Sequence, residues 1–303
     1  MPHSRRLRAA LTTATLIATL MMGAGMAGRL LAAGHQVSVY NRTASKAHAL
    51  VASGARLARS PADACHEVDA IFSMVSDDAA SRAVWLGEEG VLSAGLAPGV
   101  MAVECSTLSY EWVMELARTV TGRGLRYIDC PVTGLPASAA EGSLTLLVGA
   151  EEADLAYARG LLGAMSNRIL RFGTVGTGTA YKLIINLMGA VQIAAAAEGM
   201  ALAQRAGLDL NVVVEAVSSG QAASPQVARN VRRMADADHD SNVVFTSALR
   251  LKDVEYALRL VQGLQMSAPF GQLAQQGLVE LCNRGRAQAN ESSIFEVAAA
   301  RVI

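Results

Sequence analysis

The chain carries no net charge: 26 lysines and arginines offset 26 aspartates and glutamates across 303 residues. Without a basic excess there is no electrostatic footprint for nucleic acid, nor for an anionic membrane surface. The four cysteines, Cys65, Cys105, Cys130 and Cys282, include no CxxC pair, and the five histidines fall in no ligand pattern. No metal site is expected, and the thiols read as reduced, which places the protein in the cytoplasm. Internal repeats and low-complexity linkers are missing too. What is left is room for one large or two ordinary domains.

Apolar residues supply 52% of the chain and charged ones 17%, with a mean hydropathy of +0.30. Much of that is alanine and valine, which suits a large core and extensive subunit contacts; a homodimer or homotetramer is expected. The longest apolar run, residues 179–203, is long enough to raise a transmembrane question. It contains Lys182, Asn186, Gln192 and Glu198 and has no positive-inside flanks. A helix buried in protein is the better reading, and no membrane partner is expected. At the N-terminus, Arg5, Arg6 and Arg8 followed by an apolar stretch to Met22 have the layout of a secretory signal. The same stretch supplies the first strand of the pattern that follows, so retention is expected over export.

From residue 23 the chain alternates. A small-residue helix over 23–33 ends at Gly34, and 36–40 (Gln-Val-Ser-Val-Tyr) is a strand. Helices are expected at 45–53, from Pro61, from Ser76-Asp77-Asp78 and over 109–120. Strands are expected near Arg56 and at 68–75, 100–105, 126–130, 144–148 and 169–172. Beyond residue 176 nearly everything is helix: 178–206, 210–219, 225–234, 246–264, 269–284 and 291–300. Strand, turn and helix in repetition mean a Rossmann-type doubly wound, mostly parallel sheet. An all-α domain follows it, joined through one long helix, with the boundary between 1–175 and 176–303.

In open sheets of this kind ligands sit beyond the carboxyl ends of the strands. Four polar clusters fall there: Asn41-Arg42-Thr43, Ser76-Asp77-Asp78 directly after Val75, Ser106-Thr107, and Thr133-Gly134. Each could equally be a helix N-cap, since Ser, Thr and Asp are preferred capping residues. Gly23-Ala24-Gly25-Met26-Ala27-Gly28 matches G-x-G-x-x-G literally. The second strand ends in Asn41-Arg42-Thr43 without a carboxylate. That favours NADP over NAD, because arginine accommodates a 2′-phosphate where an acid would bind the 2′-hydroxyl. Lys182 and Asn186, four residues apart, share one helical face amid Leu183, Ile184, Ile185, Leu187 and Met188.

Taken together these stretches resemble the β-hydroxyacid dehydrogenases, the group of 3-hydroxyisobutyrate dehydrogenase, tartronate semialdehyde reductase and the glyoxylate/succinic semialdehyde reductases. The resemblance runs over residues 22–300. It rests on Met22-Gly23 with Val39-Tyr40-Asn41-Arg42-Thr43, on Glu104-Cys105-Ser106-Thr107, on Asp129-Cys130-Pro131-Val132-Thr133-Gly134, on Gly176-x-Gly178-x-x-x-Lys182-x-x-x-Asn186, and on Phe245 with Lys252-Asp253. It implies an NADP-dependent dehydrogenase or reductase that interconverts a small hydroxy acid and its semialdehyde or keto form. Lys182 would be the catalytic acid/base and Asn186 its partner, while Thr133 and Gly134 would hold the substrate carboxylate. Phe245 and Asp253 would line the site. Gly23, Asn41, Arg42, Thr43, Val75, Ser76, Thr107 and Lys252 would contact the cofactor.

Two departures stand out. Ala18 and Leu20 occupy positions where the family has glycine, and Thr133-Gly134-Leu135 replaces Ser-Gly-Gly, with Leu135-Pro136 expected to crowd and stiffen that loop. Imine reductases on the same scaffold carry Asp or Tyr at the lysine position, so Lys182 argues against that activity. A non-catalytic binding protein is the other alternative, supported by the altered glycines and opposed by Lys182, Asn186, Thr133 and Asp253.

Overall fold

The short apolar runs of the first half are strands and the periodic stretches between them helices, in a computed structural model that describes residues 13–18 and 21–301. In chain order come β1 (Thr13–Ala18), α1 (Met21–Ala32), β2 (Gln36–Tyr40), α2 (His48–Ala52), β3 (Arg56–Leu57), α3 (Pro61–Ala64), β4 (Ala70–Met74), α4 (Asp78–Leu86) and β5 (Met101–Glu104). Then follow α5 (Tyr110–Thr121), β6 (Arg126–Asp129), β7 (Val132–Thr133), α6 (Pro136–Glu141), β8 (Leu144–Gly149), α7 (Glu152–Ala164) and β9 (Ser166–Gly173). The second half is α8 (Thr177–Arg205), α9 (Leu210–Ser219), α10 (Pro225–Ala235), α11 (Ser247–Gly263), α12 (Pro269–Leu281) and α13 (Ile294–Ala300). The chain divides into two units, residues 1–107 with 112–179, and 108–111 with 180–303.

In the first unit the strand order is β3-β2-β1-β4-β5-β6-β8-β7, with β9 beside β8. Strands β1 to β6 run parallel, and β8 pairs antiparallel with β6 and β7. The chain winds outward from β1 to β2 and β3, then returns to β4 on the far side of β1. That reversal opens a crevice at the carboxyl ends of β1 and β4. All five residues of β4, Ala-Ile-Phe-Ser-Met, are buried, as a central parallel strand covered on both faces requires. Met26, Ala27 and Leu30 of α1 and Leu155, Ala158 and Leu162 of α7 cover one face.

The literal G-x-G-x-x-G match falls within a helix, in keeping with the helix expected over 23–33. Gly23, Gly25 and Gly28 all lie inside α1. A Cβ added to Gly25 would sit 2.7 Å from the backbone of Ala139 and Ala140, so this glycine lets α6 close onto α1. Leu20 lies outside the described residues, and Ala18 ends β1. The stretch expected as a stiffened loop is helical from Pro136, which takes the first position of α6, where its missing N–H costs nothing. Helix α7 is a further element that the strand expectations at 144–148 and 169–172 left unassigned.

In the second unit Ala190, Ile193, Ala197 and Met200 of α8 pack with Val227, Val231 and Met234 of α10, Val254 of α11, and Leu278 of α12. At 29 residues α8 is long and apolar enough to cross a membrane by length and composition. One face of it forms the spine of this helical core. Side-chain caps start the helices that follow: Asp209 for α9, Ser224 before Pro225 for α10, and Thr246 for α11.

Candidate active site

The four polar clusters at strand ends prove to have different uses. Asp77 is an ordinary cap, its carboxylate accepting from Ala80 N at 2.8 Å. Asn41 instead closes an Asx turn, its Oδ1 accepting from Thr43 N at 2.9 Å. Arg42, between them, is exposed. The Ser106 hydroxyl caps no helix. It accepts from Val75 N at 2.8 Å and donates to Glu104 Oε1 at 2.5 Å, tying the end of β4 to the end of β5. Thr133 is half-buried, and Gly134 has φ +138, a conformation that favours glycine. A Cβ there would meet Leu144 Cδ2 at 2.9 Å, while the Leu135 side chain turns outward and is 40% exposed.

Two buried carboxylates support this end of the sheet, and neither role was legible in advance. Glu104 takes hydrogen bonds from Ser81 Oγ (2.9 Å), Trp85 Nε1 (2.8 Å), Ser106 N (3.1 Å) and Ser106 Oγ (2.5 Å). Burial pushes its carboxyl up, against the four donors that hold it down. Asp129 accepts from Gly176 N at 2.6 Å and Thr179 N at 2.7 Å, so it caps the helix on which Lys182 and Asn186 lie. Burial pushes Asp129 up to about 6, with those two N–H groups opposing.

The first turn of α1 contains no acid, and its leading N–H groups have no intrahelical partner. With Gly23 in that turn, Arg42 at the end of β2, and Val75, Ser76 and Thr107 at the ends of β4 and β5, the residues present fit a nicotinamide dinucleotide along the switch point.

In the second unit the polar groups converge on α8 and α11. Asn186 is buried and donates from Nδ2 to Asp253 Oδ2 at 2.5 Å. The other Asp253 oxygen lies 3.0 Å from Lys252 Nζ. Lys182, one turn before Asn186, is half-buried at the surface but crowded by protein atoms. Its ammonium is pushed down to about 8, chiefly by burial; Asp253 opposes the shift, and Arg250 and Lys252 add to it. Of the chain's 26 basic residues three are lysines, Lys46, Lys182 and Lys252, and two of these are here. Phe245 is half-buried, with its ring 4.6 Å from the Arg250 guanidinium. Among the described residues no cluster of histidine, cysteine or carboxylate side chains could hold a metal ion.

Fold and site together define a dinucleotide-binding oxidoreductase with a helical second domain. Residues 14–176 match the family model of the NAD binding domain of 6-phosphogluconate dehydrogenase. Residues 176–298 match that of the NAD-binding region of NADP-dependent 3-hydroxyisobutyrate dehydrogenase. An NAD-dependent L-serine dehydrogenase of Pseudomonas aeruginosa is 36% identical over 84% of this chain and 86% of its own length. A crystal structure of 3-hydroxyisobutyrate dehydrogenase from Salmonella typhimurium superposes with a TM-score of 0.86 at 28% identity, covering 94% of this chain and 99% of that one. The 3-hydroxyisobutyrate dehydrogenase of Mycobacterium tuberculosis, solved with L-serine, gives 0.85 at 27% identity over 96% and 100%. The chain belongs to the β-hydroxyacid dehydrogenase family, NAD(P)-dependent oxidoreductases that act on CH–OH groups.

Proposed function

We propose that the protein is an NADP(H)-dependent enzyme that interconverts a small hydroxy acid, a 3-hydroxy acid foremost with 2- and 4-hydroxy acids as neighbours, and its semialdehyde or keto form. The observation that carries this reading is a crowded lysine with a lowered pKa, one helical turn from an amide anchored on a buried carboxylate. Bound nicotinamide supplies or accepts the hydride. Lys182 gives a proton to the substrate oxygen in reduction and takes it in oxidation, as an alkoxide-like oxygen in the transition state requires. Asn186, held by Asp253, orients that oxygen. Lys182, Lys252, Arg250 and Arg229 outnumber Asp253 and Glu291 by two positive charges, which suits an anionic substrate. Thr133 and Gly134 take its carboxylate, Phe245 and Asp253 line the site, and Gly23, Asn41, Arg42, Thr43, Val75, Ser76, Thr107 and Lys252 hold the cofactor.

A panel of NADPH-dependent reductions of glyoxylate and of succinic, tartronate and methylmalonate semialdehydes, with L-serine oxidation added because relatives carry that name, tests the assignment. Turnover of a cyclic imine with none of these substrates reduced or oxidised would overturn it. The lysine also sets a pH dependence. With Lys182 at about 8, kcat/KM for reduction falls as pH rises through 8, because the ammonium is the acid. In oxidation it rises through the same pH, because the free amine is the base. Parallel limbs in both directions contradict the assignment.

Arg42 decides the cofactor. Arg42→Asp should weaken NADPH relative to NADH by about tenfold or more, roughly the loss of one charge-assisted phosphate contact. Fluorescence titration of both cofactors reads the ratio, and an unchanged ratio places the 2′-phosphate elsewhere. All four cysteines are free thiols, which supports a reducing, cytoplasmic setting.

A homodimer or homotetramer is part of the proposal. Leu202, Phe270 and Leu273 are 70%, 73% and 63% exposed, more apolar surface than a helical domain leaves to water. Sedimentation velocity should find the assembly, and Leu202→Glu with Phe270→Glu should shift it toward monomer. A wild-type monomer at micromolar concentration would refute it.

A further inference from the structure

One arginine in the second unit is too deeply buried and too fully bonded to serve as surface charge. Arg250, on α11, is 3% exposed. Its Nε donates to Glu291 Oε2 at 2.6 Å, Nη1 to the main-chain oxygen of Asn186 at 3.0 Å, and Nη2 to Gln226 Oε1 at 3.0 Å. Glu291 is 1% exposed and also accepts from Asn230 Nδ2 and Arg229 Nη2, both at 3.2 Å. The guanidinium therefore reaches a backbone carbonyl in the middle of α8. It can do so because residue 189 is glycine: a Cβ there would lie 2.5 Å from Gln226 Nε2 and 3.3 Å from Arg250 Nη1. A mid-helix glycine costs about 0.5–1 kcal/mol relative to alanine, so its presence here answers a packing need.

We propose that Arg250 is a positioning residue for the reaction: clamped by Glu291, its guanidinium holds the α8 backbone at Asn186 and sets the charge that Lys182 faces. The inference rests on the acid/base reading of Lys182. A buried guanidinium that is paired on one side and bonded to the helix on the other does two things. It fixes where the Asn186 amide points, because the carbonyl it grips belongs to that residue. It also places a permanent positive charge near Lys182, and a like charge disfavours the ammonium. The charged groups acting on Lys182 are Asp253, which favours the ammonium, and Arg250 and Lys252, which disfavour it. All three lie on α11, and the phenols of Tyr110 and Tyr256 border the apolar patch around Leu183 beside them. Lysine could not replace arginine here, since one ammonium on a flexible stem cannot serve three separate acceptors in a planar fork.

The experiment reads position and charge separately. In the full-length protein labelled with 13Cε-lysine, three lysines give three titrations, four in Arg250→Lys, and Lys182→Arg in each background assigns the one of interest. Arg250→Met should raise the Lys182 midpoint by roughly half a unit or more, whereas Arg250→Lys should leave it near wild type. Both should lower kcat about tenfold with cofactor Kd unchanged, the mark of a misplaced group and not of lost binding. Arg250→Met leaves Glu291 buried without its main partner, so Arg250→Met with Glu291→Gln is measured beside it. Removing both charges spares the fold and should still lower kcat. Unchanged turnover and titration in the arginine variants, in an enzyme that Lys182→Ala silences, overturn this inference alone. Full turnover in Lys182→Ala overturns the acid/base reading and this inference with it.

Discussion

Replacing Lys182 with alanine should lower kcat by about 10²- to 10⁴-fold, the usual contribution of a positioned general acid or base. Cofactor binding should survive, because the cofactor contacts proposed at α1, β2, β4 and β5 belong to the first unit, and the one on α11, Lys252, pairs with Asp253. Lys182→Arg sharpens the test. Arginine keeps the charge and much of the bulk, but it cannot lose a proton at any accessible pH. As a base it is useless, so oxidation should fall as far as in the alanine variant, while reduction retains whatever a fixed cation contributes. Near-normal kcat in both variants would transfer the proton-handling role to another group, and steady-state kinetics in the two directions decides it. The expected loss exceeds that of any single binding contact because it falls wholly on the transition state: the substrate oxygen needs a proton only as its charge develops.

The helix that carries the candidate site was legible in the chain because helical spacing is a strong constraint. Lys182 and Asn186 four apart must share a face, and helices expected over 178–206 and 210–219 are found at Thr177–Arg205 and Leu210–Ser219. The parallel sheet was legible from strand, turn and helix alternation. What escaped has one physical origin: a polar residue looks alike in sequence whether it meets ligand, water or backbone. Asp129 lies in a segment that reads as substrate-binding, yet it caps α8. Arg250 lies in Arg-Leu-Lys-Asp, which reads as an ordinary charged stretch, and its partners come from residues 186, 226 and 291. No local pattern reports contacts 24 to 64 residues away. Glycines are ambiguous in the same manner. Gly25 fits a phosphate motif, but the space it leaves is filled by Ala139. Helix α6 was missed because it is only six residues long, and α7 because Gly160 and Gly163 lie within it and lower its intrinsic helix propensity.

Glu104→Ala should destabilise the first unit by about 3–5 kcal/mol. Three losses add. The side chain is 1% exposed, so its removal leaves a cavity. The indole N–H of Trp85 and the main-chain N–H of Ser106 are fixed in direction, and both would be buried without an acceptor. The third loss is the anchor of Ser106, whose hydroxyl links Glu104 to the N–H of Val75. Opposing these, the variant no longer buries a carboxylate, which recovers part of the desolvation cost. The donors win because four of them converge on two oxygens and two cannot rotate to find other partners. At about 2–4 °C per kcal/mol for a unit of this size, the melting temperature should drop by about 10 °C. Glu104→Gln separates the contributions: it fills the space and keeps one acceptor, so it should cost less than half as much. Cofactor affinity should fall with stability in the alanine variant, since Val75, Ser76 and Thr107 lose the tie that aligns the ends of β4 and β5. A melting temperature within about 2 °C of wild type would show that the tryptophan and serine donors find water, and that the strand ends need no carboxylate between them.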